Sequence, residues 1–75
     1  ETAIIIQADS EFEGVDKEYA YLANHACINN GGIKDLKMQK LLNEQNHYFD
    51  EMSMICNNGQ EEIYYFQIDS FFGKL

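Results

Sequence analysis

Apolar and polar residues recur along this chain with two different periods, and the changes of period mark its elements. Thr2 to Ala8 contains Ile4, Ile5 and Ile6 in a row. A β-branched run this short predicts a strand with apolar contacts on both faces. Ser10 followed by Glu13 is a capping-box pattern, in which two side chains satisfy amide donors left free at a helix start. Phe12, Val15, Tyr19, Leu22 and Ala26 then recur at spacings of three and four. At about 100° per residue they form one narrow stripe, which predicts an amphipathic helix with that stripe on its buried side. Gly14 weakens the first turns slightly. Asn29-Asn30-Gly31-Gly32 ends the helix, because Asn and Gly accept the left-handed conformation of a C-cap.

Ile33 to Gln45 is rich in helix formers, yet on a helix its Ile33, Leu36, Met38, Leu41 and Leu42 scatter over roughly 240°. On a strand, Leu36, Met38 and Leu42 share one face, interrupted by Lys40. Lys37, Gln39 and Asn43 share the other, interrupted by Leu41. Periodicity favours the strand against propensity. Tyr48 to Cys56 and Glu62 to Ile68 read as two more strands around Asn57-Asn58-Gly59-Gln60, a hairpin signal. A two-residue turn at Asn58-Gly59 pairs Met54 with Ile63 and Met52 with Tyr65. A three-residue loop with Gly59 in a left-handed bulge pairs Met52 with Tyr64 and Tyr48 with Ile68. The second register gathers Tyr48, Met52, Met54, Cys56, Tyr64, Phe66 and Ile68 on one face, the more continuous core, and is preferred.

The expected architecture is a single α+β domain spanning residues 1–75. Its order is β-α-β-β-β, with one amphipathic helix packed on a four-stranded, mainly antiparallel sheet. That assignment leaves Ile5, Phe49, Ile55, Ile63 and Tyr65 pointing away from the helix. A sheet with one solvated face alternates more cleanly into polar residues than this. Apolar surface of that extent marks a partner or dimer interface, unless the Phe71-Phe72 tail folds back across it. The tail is too apolar to wave freely in water, and its two aromatics are also candidate anchors on another chain.

Composition narrows the functional classes. The chain has 75 residues, enough for one domain with a modest core, and no Pro. Thirteen acidic residues against five lysines give a net charge of −8. That balance argues against a nucleic-acid backbone or an anionic membrane as partner. Asp9, Glu11, Glu13, Asp16 and Glu18 crowd the start of the helix, where they oppose the positive end of its dipole. They also suit a basic protein partner. No stretch is long and apolar enough for a membrane span. The chain begins at Glu1 rather than Met, so processing or excision from a longer protein leaves localisation open, with the cytoplasm slightly favoured.

Candidate chemistry is sparse. Cys27 and Cys56 read either as free, half-buried thiols or as a bridge, and the plainer reading is free thiols. His25, Cys27, His47 and Cys56 lack the close ligand pairs of a structural zinc site. Cys56 with His47 makes an arithmetical nucleophile pair without a signature. Glu61-Glu62 and Asp50-Glu51 are sequence neighbours, and strand neighbours point to opposite faces. Lys34, Lys37 and Lys40 suit a solvated strand edge. No catalytic, metal or cofactor residue is assigned. The expectation is a non-enzymatic protein-interaction domain, homodimeric or bound to another protein through Ile5, Phe49, Ile55, Ile63, Tyr65, Phe71 and Phe72. The alternative is an acidic inhibitor or nucleic-acid mimic using Glu11, Glu13 and Asp16 on a basic partner, and a small hydrolytic enzyme comes third.

Overall fold

A computed structural model describes residues 3–74. Its elements are β1 (Ile4–Ile5), α1 (Glu11–His25), β2 (Ile33–Glu44), β3 (His47–Cys56) and β4 (Glu61–Gln67). They form one four-stranded sheet in the order β1-β4-β3-β2. β1 runs parallel to β4 and the other pairs are antiparallel. The expected α+β fold, one helix with a β-α-β-β-β order, is therefore present. β1 is shorter than the sequence suggests, and Thr2, at the start of that expected strand, lies outside the described residues.

The β3–β4 hairpin adopts the three-residue loop. Met52 pairs with Tyr64, Gly59 sits at φ +91°, and the Ile68 amide donates to the Tyr48 carbonyl at 2.9 Å. A positive φ of that size suits a residue without a Cβ, which is why glycine fixes the register here. Met52, Met54, Cys56, Phe66 and Ile68 are consequently buried on one face, joined by Ile6, Leu22, Ala26, Cys27 and Phe71.

β2 is a strand, and its mixed pattern has a mechanical cause. The register shifts between Ile33 and Asp35 and again between Leu36 and Met38, so Lys34 and Lys37 are bulged. A bulge reverses the alternation beyond it. Leu36 and Leu41 therefore both sit opposite core-facing residues, Met54 and Asp50, while Met38, Lys40 and Leu42 share the other face. This corrects the expectation that Leu36, Met38 and Leu42 lie together. A two-residue turn with Gln45 at φ 53° and Asn46 at φ 68° joins β2 to β3.

The helix starts as its capping pattern predicts. Ser10 accepts the Glu13 amide at 3.2 Å, and Glu13 reaches back to the Asp9 amide at 3.3 Å. Its roll about its own axis differs from the expectation. Gly14, Glu18 and Leu22 face the sheet and Ala26 is buried, as expected of the stripe's C-terminal part, whereas Phe12 is 81% exposed and Tyr19 44% exposed. At about 100° per residue, the buried line is turned roughly 80° from the centre of the apolar stripe and meets it at Leu22.

Two tethers set this roll. At the N-terminal end the tail turns under the helix: Phe71 is buried, and a Cβ on Gly14 would lie 2.5 Å from its ring. The Lys74 carbonyl accepts the Glu11 amide at 2.8 Å, and Glu11 Oε2 accepts the Gly73 amide at 2.8 Å. At the other end Cys27 is disulfide-bonded to Cys56, with Cα atoms 5.4 Å apart. This overturns the free-thiol reading. The helix ends at His25, and Cys27, at φ 59°, takes the left-handed position that the sequence suggests for Asn29 to Gly32.

Candidate functional site

Helix and tail occupy the same side of the sheet, so its other face is left open. Pairing register places rows of side chains there: Leu42, Phe49, Gln67 and Ile5 in one, Lys40, Glu51 and Tyr65 in the next, Met38, Ser53 and Ile63 in a third. Ile55 lies beyond them. Ile5 is 61% exposed and Ile63 is also exposed, while Phe49, Ile55 and Tyr65 are half-buried against their neighbours. Ala3, Ile5, Leu42, Phe49 and Tyr65 line a depression of ≈ 790 Å³ together with Glu44, Glu51 and Gln67.

The structure thus brings together five of the seven residues singled out from sequence. Phe71 is not among them, because it fills the core beneath Gly14. Phe72 stacks on Tyr48 on the helix side, with ring centroids 4.1 Å apart. Among the described residues, no part of the tail covers the open face. Sequence reasoning missed Met38 and Leu42, whose placement follows only once the Lys37 bulge is known.

A second uncovered region lies on the helix side. Tyr19, Leu22, Ala23, Ile33, Leu36 and Met54 line a cleft of ≈ 240 Å³ between α1 and β2. Leu36 and Leu41 look to this side and are both about half exposed, Leu41 at 51%. The helix covers β3 and β4 and stops short of β2.

Electrostatics separates solvated charge from charge committed to the fold. Glu18 is wholly buried, and among the described residues the Asp50 carboxyl is the one polar group that faces its side chain. Loss of hydration raises its carboxyl to about 9, reinforced by the neighbouring Asp50 carboxylate, so Glu18 is protonated at neutral pH. Two carboxyls thus face each other inside the core, away from the open face and from the cleft. Burial and protonation take Glu18 out of the acidic group at the helix start, while Glu11 and Glu13 accept backbone amides at the surface.

The remaining polar clusters are braces. Glu62 accepts the Cys27 amide and the Asn30 side chain, each at 2.8 Å, and the Tyr64 hydroxyl at 2.7 Å. These donors, the backbone amide first, hold Glu62 below the usual carboxylate range, while burial and Glu62 push Tyr64 up to about 12. Asp69 joins the start of β3 to the end of β4. It accepts the Tyr48 amide at 2.8 Å and lies 2.6 Å from His47 Nδ1, and the amide chiefly depresses its pKa.

The candidate metal and nucleophile sets are dispersed. Cys27, Cys56 and Glu62 place ligand atoms within 4.8 Å of one another, but the two sulfurs are bonded to each other. His25 stacks on Tyr21, and His47 lies at the far end of β3 from Cys56, roughly 30 Å away at strand rise. Glu61 pairs with Lys37 at 3.3 Å on the open side, and Glu62 faces the core. No helix among the described residues is long and apolar enough to cross a membrane. No protein-family model matches the chain, nor does any curated protein or solved structure.

Proposed function

We propose that this chain is a non-enzymatic protein-interaction domain that binds another protein through the open sheet face. One observation carries the reading: helix and tail both pack on one side, leaving Ile5, Leu42, Phe49 and Tyr65 around one depression that no other described residue covers. Exposed apolar surface concentrated in one patch is characteristic of contact surfaces, and a half-buried aromatic floor supplies anchors. The acidic part of the lining specifies the partner's chemistry. Glu44 and Glu51 line the depression on a chain of net charge −8, so the complement is an apolar patch that carries Lys or Arg. A second copy suits this face less well, because two-fold pairing brings acidic residues together.

Capture from an extract of the source organism tests this with two variants, Ile5→Lys and Ile63→Lys, which alter exposed strand positions without entering the core. The partner retained by the wild type is lost from both while their circular dichroism stays unchanged. Retention that survives both substitutions, or no retention by the wild type, overturns the reading.

A further inference from the structure

The free edge of β2 offers a different surface from the open face. β2 pairs with β3 on one side only, and all its backbone groups on the other side lack a neighbouring strand. Protective devices crowd its first half, where Lys34 and Lys37 are both bulged. Met38 to Glu44 is regular, seven residues long, and carries only one lysine. A regular edge of that length is a template for another strand.

We infer that the occupant of this edge is a second copy of the chain, with β2 pairing to β2 of its mate in antiparallel fashion about Leu41. The register follows by elimination. Faces must match, so partner positions sum to an even number beyond the bulge. A centre at Lys40 sets like charges opposite each other, which is unfavourable. A centre at Gln39 runs into the Lys37 bulge, and a centre at Leu42 sacrifices two pairs to the turn. A centre at Leu41 uses the whole segment: Met38 meets Glu44, Gln39 meets Asn43, and Lys40 meets Leu42. Lys40 is then diagonal to Glu44 of the mate at both ends and to Lys40 of the mate across the axis, two attractive pairs against one repulsive pair.

Symmetry gives this pairing a second consequence. A two-fold axis through an antiparallel strand pair stands perpendicular to the sheet, so both helices lie on one side of an eight-stranded sheet. The clefts beside each β2 become one trough, floored by Leu36 and Leu41 of both chains. Tyr19 of each chain, and Phe12 two turns before it on the same helix face, border it from opposite sides. These two exposed members of the stripe that the sequence aims at a core gain apolar neighbours in the dimer, whereas Leu22 and Ala26 are already buried in the single chain. The seam differs from the open face of the proposed function, so either surface can fail alone.

Sedimentation velocity on the intact, oxidised chain between micromolar and millimolar concentration tests the pairing. The wild type dimerises reversibly. Leu41→Lys, which sets like charges on the axis, and Phe12→Glu each raise the dissociation constant at least about tenfold. Lys40→Glu weakens the dimer and Glu44→Lys in the same chain restores it. Ile63→Lys, on the open face, leaves it unchanged. A wild type that stays monomeric throughout, dimerisation indifferent to Leu41→Lys and Phe12→Glu, or loss with Ile63→Lys overturns the inference.

Discussion

Glu18 is the residue whose environment departs furthest from what its chemistry favours. Burying a carboxyl that faces only another carboxyl costs about 1–3 kcal/mol, and ionising it there costs more. Its folded pKa, about 9, lies above its ordinary 4.5, so the folded state holds a proton that the unfolded state releases. Stability is then full below the unfolded value and declines as pH rises toward 9. Glu62 and Asp69 act oppositely: their depressed values stabilise above the ordinary carboxylate range, and that contribution is lost on acidification. Stability should therefore peak in mildly acidic solution. Denaturant titrations from pH 5 to 9 check this: the wild type loses stability across the range, Glu18→Gln shows a flatter profile, and Glu18→Leu gains about 1–3 kcal/mol at pH 8. A wild-type profile as flat as that of Glu18→Gln contradicts the assignment. Nothing in the sequence marks Glu18, since an acid in the first half of a helix is ordinarily a solvated residue opposing the dipole.

At the scale of elements, the helix is held by its ends. Gly14→Ala gains about 1 kcal/mol of helix propensity but drives a methyl into the Phe71 ring, and overpacking of that kind costs about 1–3 kcal/mol. The net effect is destabilising, and a double-mutant cycle with Phe71→Leu should show the loss shrinking when the ring is removed. The Cys27–Cys56 bridge closes a sequence separation of 29 residues, worth roughly 3–4 kcal/mol in the chain-entropy description. Reduction, or Cys56→Ser, should lower the midpoint of thermal unfolding sharply while the β3–β4 hairpin, set by Gly59, persists longest in hydrogen exchange. These tethers explain what was legible in the sequence and what was not. Capping at Ser10, the strand at 33–45 and the hairpin register rest on local chemistry, and local reasoning reached them. The helix roll and the burial of Phe71 depend on contacts between residues 29 to 63 positions apart, and the bulge at Lys37 on strand pairs 15 to 18 apart. Amphipathicity pointed to the stripe through Phe12 and Tyr19, and the tethers turned that stripe aside.

For the whole molecule, the consequence is a sheet wider than its single helix can cover. Five residues of the open face were readable from strand alternation alone, and two more, Met38 and Leu42, needed the bulge. The net charge of −8 keeps such a surface soluble and selects among partners, favouring one that carries cationic residues. Edge pairing through β2 enlarges the same surface, because the two open faces then lie side by side. Hydroxyl-radical footprinting of the captured complex tests most directly whether the open face is the contact surface. Ile5, Ile63 and Tyr65 should lose reactivity on binding while Tyr19 and Phe72, on the helix side, keep theirs. Protection of Tyr19 and Phe72 with Ile5, Ile63 and Tyr65 still reactive would contradict it.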